Sequence, residues 1–481
     1  MIAIFTAFLL ALACALLLTP LVRNSARKLG TVEMPNTSFR KIHTGEIPRL
    51  GGIAIVAAFY LPLLCLFLVS SDTGALFTGD TRMALGFLLG GIPIVLIGLY
   101  DDIVGAGAVE KFAIQIAVAI SLYGLGFRIE AISLPFDAVL DLGVYAFPLT
   151  VLWIVGLINA LNLIDGLDGL AAGIAVFAAA TVFAVAFANG NLLMMLFMAA
   201  LAGALMGFLV FNFNPATIFM GDTGSLFLGY VIAITSLQTS TKGAATVALL
   251  TPVLALGLPI LDTVMAFGRR LVRGQHPFQG DREHIHHRLL DMGLSHRSAV
   301  LFLYAVSAVF AMFALTVTLT DGILSAAIFG AAVVSVLLFV ARLGVFVWDH
   351  SGLAERRERN QVLRKAHRRF NKTAAGAENI DTVWSALVDA ASEMQAARLE
   401  LTPTAGAARH EWQRKDARIA TLVVERPIST TDGELLIAWD DGRTLLAAEE
   451  GGALDRLIAT MDRRIMPRMI DVSLASVTQK A

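Results

Sequence analysis

Asn159-Ala-Leu-Asn162-Leu-Ile-Asp165-Gly-Leu-Asp168-Gly-Leu-Ala171 lies at the mouth of an apolar segment, and its reading decides what kind of chain this is. Two carboxylates and two carboxamides stand where a hydrocarbon-facing helix would carry none. Even on a lenient insertion scale a charged residue at membrane depth costs about 2.5–3.5 kcal/mol, so ionisable groups at span ends are read as functional first. Composition supplies the membrane: of 481 residues 57% are hydrophobic and 16% charged, against about 25% charged in a soluble domain. The expected fold class is an all-α polytopic membrane protein set in a lipid bilayer. A net charge of -1 offers no footprint for nucleic acid, and no such partner is expected. Cys14 and Cys65 both fall inside apolar runs, which argues against a disulfide framework or a thiolate metal site.

Runs of about 18 or more apolar residues give about eleven transmembrane helices, near 1–22, 51–70, 83–100, 111–127, 147–163, 170–188, 192–211, 222–240, 244–267, 299–319 and 322–347. The first lacks a basic leader and runs into Arg23, Arg27 and Lys28, so it reads as a retained span and not a cleaved signal. Arg23, Arg27, Lys28, Arg40, Lys41 and Arg49 crowd the first loop. Arg269, Arg270, Arg273, Arg282, Arg288 and Arg297 crowd the loop after the ninth span. By the positive-inside rule both loops are cytoplasmic, which places the N-terminus outside and the C-terminus inside. The same parity brings Asp101-Asp102, the Asn159–Asp168 run, the Asn212–Asp222 segment and the His284–His287 cluster to one cytoplasmic surface, as a single active site requires.

Residues 1–349 therefore read as the membrane domain, 350–377 as a basic juxtamembrane linker helix, and 378–481 as a small cytoplasmic α/β domain. In the last, a helical period covers 380–397 and strand-like runs cover 419–425 and 434–439 beside a Thr-Asp-Gly turn at 431–433. A second helical run follows near 450–466. This domain carries no catalytic constellation; its pattern has a weak likeness to part of a GAF-type sensor.

The carboxylates Asp101, Asp102, Asp165, Asp168 and Asp222 form a like-charge set that needs a cation. A hard divalent ion that takes oxygen ligands and bridges to substrate phosphates, magnesium with manganese able to substitute, meets that need. Spacing of three puts Asp165 and Asp168 on one face where a helix has begun, and capping is the plainer alternative for Asp168 and Asp222 taken singly. Arg40, Lys41, His43 and Arg49, with His284, His286, His287 and Arg288, suit an anionic substrate. A zinc site competes for the histidines, but their spacing is not that of the His-Glu-x-x-His type and the loop lacks a thiolate. Gly166, Gly169, Gly221 and Gly224 alternate with the acids and let backbone approach a phosphate.

Arg40-Lys41-x-His43 with Pro48-Arg-Leu-Gly51-Gly52, Asp101-Asp102, Asn159-x-x-Asn162-x-x-Asp165-Gly-Leu-Asp168-Gly, Asn212-x-x-Pro215-Ala with Phe219-Met-Gly-Asp222-x-Gly-Ser, and His284-Ile-His286-His287-Arg288 occur in order. In this the chain resembles the polyprenyl-phosphate N-acetylhexosamine-1-phosphate transferases, the glycosyltransferase 4 family of WecA-like and MraY-like membrane enzymes, over residues 20–300. The resemblance implies a phosphotransferase of the bacterial cytoplasmic membrane. It would move an N-acetylhexosamine 1-phosphate, N-acetylglucosamine first, from a UDP-amino sugar to undecaprenyl phosphate and release UMP, opening synthesis of a cell-envelope polysaccharide. It implies Asp222 as magnesium ligand with Asp165 beside it, and Asp101 acting on the lipid phosphate with Asp102 in support. Asp165, Asp168 and Asn162 would organise metal, nucleotide and phosphates, and Lys41, His43 and Asn159 would also bind substrate. Asn212 and Phe219 would contact uridine; His284, His286, His287 and Arg288 would hold the pyrophosphate or sugar. A homodimer is compatible with all of this.

His-Ile-His-His in place of three consecutive histidines, and a first loop without the MraY flavour, favour the WecA-like branch over a UDP-MurNAc-pentapeptide donor; another UDP-acetamido sugar remains the alternative. Two rivals from other classes fit less. An intramembrane aspartyl protease would use Asp101 and Asp222 but leave Asp165, Asp168 and the histidines idle. A transporter would bind near the midplane between internal repeats, whereas these polar groups cluster at span ends.

Overall fold

The computed structural model of the chain describes residues 1–33, 47–69, 71–133, 139–239, 256–272, 284–320, 322–342, 353–377, 380–402, 409–428, 433–443, 446 and 448–461. Its internal contacts divide it into two compact units, one of Met1–Glu33, Glu46–Met265 and Glu283–Val347, the other of Met34–Gly45, Ala266–Arg282 and Trp348–Ala481.

The first unit is helical: α1 (Ile2–Lys28), α2 (Gly51–Val69), α3 (Ser71–Gly79), α4 (Thr81–Ile103), α5 (Ala108–Gly124), α6 (Ala146–Ile164), α7 (Leu170–Ala188), α8 (Leu192–Asn212) and α9 (Gly221–Thr239). It includes α10 (Gly257–Val272) as far as Met265, and then has α11 (Ile285–Asp291), α12 (His296–Leu319) and α13 (Gly322–Arg342). Two short antiparallel strand pairs, β1 (Val32–Glu33) with β2 (Ile47–Pro48) and β3 (Ala131–Ser133) with β4 (Val139–Asp141), accompany the helices. Small residues set how closely helices approach, since a lipid solvent gives apolar faces no reason to pair except packing. Ala7, Ala11 and Ala15 make the buried stripe of α1. It packs on α8 where Gly203 and Gly207 leave no room for a Cβ: one at Gly203 would stand 2.3 Å from the Phe8 carbonyl oxygen.

Seven of the eleven expected spans are, among the described residues, helices long and apolar enough to cross a membrane: Ile2–Lys28, Gly51–Val69, Thr81–Ile103, Gly143–Ile164, Leu170–Ala188, Leu192–Asn212 and His296–Thr318. Of the remaining four, two differ for physical reasons and two run partly outside the described residues. α5 has only 17 residues and carries Glu110 in its first turn, whereas of the eleventh run the side chains of 339–341 and all of 343–347 lie outside the described residues, which leaves the apolar helix Ile323–Leu338. Of the ninth run, 244–267, only 256–267 falls within the described residues, in the helix Gly257–Val272 whose last turn carries Arg269 and Arg270. α9 is the informative one. Leu226 through Ile234 of its length is wholly buried, so other helices and not lipid form its surroundings, and it tolerates Thr223, Ser225, Thr235 and Ser236 in its buried face. Thr235 and Ser236 donate back to the Val231 and Ala233 carbonyls, which satisfies them inside the helix.

Gly52 shows how tightly α2 meets α9: a Cβ there would lie 2.2 Å from the Gly224 nitrogen and 2.7 Å from the Thr223 carbonyl carbon, all backbone. Gly52→Ala is therefore expected to lower the yield of monodisperse protein in detergent and its melting temperature, an overpacking cost of about 1–3 kcal/mol or more. Gly156→Ala, with nothing within 4 Å of its Cβ, is expected to leave both unchanged.

The second unit holds α14 (Leu353–Ala375), α15 (Ile380–Glu393), α16 (Ala448–Thr460) and a four-stranded antiparallel sheet in the order β6 (His410–Gln413), β5 (Arg398–Thr402), β8 (Gly433–Trp439), β7 (Leu422–Ile428). The strand-like runs at 419–425 and 434–439 are β7 and β8; β5 and β6 escape the sequence reading. The stretch expected as a separate linker is α14, and its apolar stripe is part of this unit's core: Leu363, Phe370 and Ala374 pack in one cluster with Leu387, Trp439 and Leu454. Trp412 packs against that core. His410 lies 5.3 Å, ring to ring, from Trp384. Residues 431 and 432 of the expected turn lie outside the described residues.

Candidate active site

Three helix ends meet in the first unit: the C-terminus of α4 with Asp101 and Asp102, the C-terminus of α6 with Asn159 and Asn162, and the N-terminus of α9 with Asp222. A backbone seam sets the last of these. Phe219 N–H donates to the Pro48 carbonyl at 2.8 Å, and Gly51 and Gly52 N–H donate to the Phe219 and Met220 carbonyls at 2.9 and 2.8 Å. The Pro48-Arg-Leu-Gly-Gly motif thus acts as a template for the loop that delivers Asp222. Gly221 follows with φ +67, and a Cβ on it would lie 2.5 Å from both Asp102 carboxylate oxygens; only glycine meets both demands.

Asp102 is buried and saturated. Its Oδ1 accepts the Asp222 N–H at 2.8 Å, and its Oδ2 accepts Thr223 N–H at 2.9 Å and Thr223 Oγ–H at 2.6 Å. This is an N-cap for α9 lent by a different helix. Asp101 differs: Oδ1 accepts the Ala106 N–H at 2.6 Å, while Oδ2 faces Lys111 Nζ at 3.4 Å. Lys111 bridges onward to Asp222 Oδ2 at 2.7 Å. Asn162 Nδ2 donates to the same oxygen at 3.3 Å, and its Oδ1 accepts from Ser225 Oγ at 3.1 Å. Lys111 is a site residue that the sequence reading misses.

Asp101, Asp102 and Asp222 each offer a carboxylate oxygen within 4.8 Å of the others, and among the described residues this is the one grouping with metal-ligand spacing. Asp165, expected as a ligand beside Asp222, and the histidines are not in it. α6 ends at Ile164 and α7 begins at Leu170, so Asp165 and Asp168 sit in the turn between helices and not on one helical face. Asp168 does not cap α7. Its Oδ2 accepts from Asn214 Nδ2 at 2.9 Å and Ala216 N–H at 3.0 Å, tying the turn to the Asn214-Pro215-Ala216 loop. Two unexpected residues of α12 hold the turn from the other side. His296 Nε2 accepts the Asp168 N–H at 2.9 Å, and Tyr304 O–H donates to the Gly169 carbonyl at 2.5 Å.

Other expected ligands are turned inward. Asn159 Nδ2 donates to Gln115 Oε1 at 2.6 Å and to the Val155 carbonyl at 2.7 Å. Asn212 Nδ2 donates to the Ile218 carbonyl at 2.9 Å and so shapes the loop before Phe219; its Oδ1 is buried with no partner among the described residues. His284, His286 and His287 are all buried; the His284 and His286 rings stack at 5.6 Å, and the His287 ring lies tilted by 46° at 4.4 Å from His286. His286 leans on the acidic turn: a Cβ on Gly166 would stand 2.4 Å from its Nε2. Burial, then the neighbouring His287, pushes the His286 imidazole well below its ordinary range, so it is neutral at neutral pH. Arg288 lies in α11 beside them. Lys41 and His43 lie outside the described residues.

The family model described as Glycosyl transferase family 4 matches residues 84–240. Over 316 residues, 66% of this chain and 85% of the relative, the sequence is 41% identical to the "Probable undecaprenyl-phosphate N-acetylglucosaminyl 1-phosphate transferase" of Bacillus subtilis. It is 37% identical over 339 residues, 65% of this chain and 82% of the relative, to the decaprenyl-phosphate N-acetylglucosaminephosphotransferase of Mycolicibacterium smegmatis. With the undecaprenyl-phosphate alpha-N-acetylglucosaminyl 1-phosphate transferase of Escherichia coli it shares 27% over 304 residues, 60% of this chain and 77% of the relative.

Proposed function

The chain belongs to glycosyl transferase family 4, and from that premise we propose that it transfers N-acetylglucosamine 1-phosphate from UDP-N-acetylglucosamine to undecaprenyl phosphate. A lipid phosphate oxygen bonds to the β-phosphorus, the bond from that phosphorus to the bridging oxygen breaks, and UMP leaves. The observation that carries this reading is the Asp101–Lys111–Asp222 constellation at the junction of three helix ends. Such transfer is mostly positioning and charge neutralisation.

The donor set fits magnesium, a hard ion that takes carboxylate oxygens, with Asp222 and Asp101 as the residues that would hold it; when bound it neutralises pyrophosphate charge. Asp102 has both oxygens occupied by α9, which makes it a support for Asp222. Asp101 orients the lipid phosphate and takes its proton. Lys111 keeps two facing carboxylates compatible and offers its ammonium to phosphate oxygen. His284, His286, His287 and Arg288 hold the nucleotide sugar's phosphates, with Phe219 toward the uracil and Asn212 shaping the loop that carries it. Asp168 acts on architecture, through the Asn214–Ala216 loop.

The site faces the cytoplasm in this reading. Arg23, near the basic end of α1, donates to Thr217 Oγ at 3.4 Å in the loop before Asp222, and Arg27 and Lys28 follow in the last turn. The positive-inside rule puts that end in the cytoplasm, where UDP-sugars are made. The test is UMP release from the purified chain with undecaprenyl phosphate and UDP-N-acetylglucosamine, UDP-N-acetylgalactosamine or UDP-MurNAc-pentapeptide in turn. The N-acetylglucosamine donor is expected to be preferred by at least about tenfold in kcat/KM. Absence of UMP and of lipid-linked sugar with every donor overturns the assignment.

A further inference from the structure

Asp262 is a carboxylate in the middle of an apolar helix, α10, 1% exposed. A buried charge of this kind persists only where hydrogen bonds and an opposite partner offset its desolvation. Both oxygens are engaged with the histidine segment. Oδ2 stands 2.7 Å from His284 Nδ1, and Oδ1 accepts the Ile285 N–H at 2.9 Å. One carboxylate therefore fixes the first turn of α11 and the ring plane of its first histidine. The ring plane propagates: His286 lies parallel to His284, at 3° and 5.6 Å, and fills the space that Gly166 leaves in the acidic turn.

A carboxylate on Nδ1 decides which imidazole nitrogen does the work, because the nitrogen facing the carboxylate carries a proton in either charge state. We propose that Asp262 is a positioning residue for the transfer: it holds His284 as an imidazolium whose second N–H, on Nε2, is the donor to a phosphate oxygen of the nucleotide sugar, and it sets the histidine helix against the Asp165–Asp168 turn. The inference rests on the proposed role of His284 in binding those phosphates. Asparagine cannot replace Asp262 here. It has one acceptor for two donors, so either Ile285 N–H faces an amide nitrogen, or His284 Nδ1 does and the ring must give up its Nδ1 proton.

The experiment is a double-mutant cycle in the full-length enzyme, with kcat and KM per cooperatively melting molecule for Asp262→Asn, His284→Ala and the pair. Asp262→Asn is expected to lower kcat by about 10²-fold with KM for undecaprenyl phosphate within about threefold, and the pair to be no slower than the worse single variant. Asp262→Glu, which restores the carboxylate, is expected to recover at least about tenfold of what asparagine loses. Equal losses in the Asn and Glu variants, losses that multiply in the pair, or an Asp262→Asn enzyme with more than about half of normal kcat overturn the proposal. A fully active His284→Ala enzyme instead overturns the role of His284 itself; an impaired His284→Ala beside an active Asp262→Asn sinks the Asp262 inference alone.

Discussion

Asp222→Asn is expected to lower turnover by about 10³-fold while the protein folds and melts as the wild type does. Asparagine keeps an oxygen for the two donors that converge on Asp222, Lys111 Nζ at 2.7 Å and Asn162 Nδ2 at 3.3 Å, so the packing of α5, α6 and α9 has no reason to change. What disappears is a negative charge and the lone pairs a divalent ion would share. UMP release measured across a magnesium titration checks this, and raising the ion is not expected to restore the rate. Lys111→Met is the companion. An ammonium and a metal ion compete for the same carboxylate, so removing Lys111 is expected to move half-maximal activation to lower magnesium even as the maximal rate falls. An Asp222→Asn enzyme with near-normal turnover, or a Lys111→Met enzyme that needs more magnesium, contradicts the assignment of these residues.

The membrane class and the meeting of Asp101, Asp102, Asn162 and Asp222 were legible because lipid makes every polar group at a span end conspicuous. Lys111 was written in the same code, a lone cation in the first turn of an apolar helix, but it reads equally as a span boundary. Asp262 carries that signal more strongly, a carboxylate inside the run expected near 244–267, but no motif surrounds it to join it to the other polar groups. Other features had no local signature at all. That Asp102 is spent on capping a helix 120 residues later, or that His296 and Tyr304 fasten the Asp168–Gly169 turn, depends on tertiary placement. α14 misled for a different reason: its many arginines and lysines mask Leu363, Ala366, Phe370 and Ala374, whose spacing of three and four marks a face that packs in the second unit.

Asp101 and Asp102 are neighbours with the same side chain, yet their asparagine variants are expected to fail in different ways. The N–H groups that open α9 have no intrahelical carbonyl behind them, and Asp102 answers those of Asp222 and Thr223 with separate oxygens while its side chain is wholly buried. In Asp102→Asn an amide nitrogen must face one of those N–H groups, which leaves buried donors unmet at a cost of about 1–3 kcal/mol. The melting temperature should then fall by several degrees, on the order of 2–4 °C per kcal/mol. Because the same bond positions Asp222, turnover should fall as well, by about 10²-fold for a displacement near 1 Å. Asp101→Asn keeps an oxygen for the Ala106 N–H, its one backbone obligation among the described residues, so it should melt normally and lose only rate. Melting curves and UMP release on the two variants separate these outcomes: if Asp102→Asn melts at the wild-type temperature, the carboxylate is not the cap of α9, and the division of labour between the two aspartates must be drawn the other way.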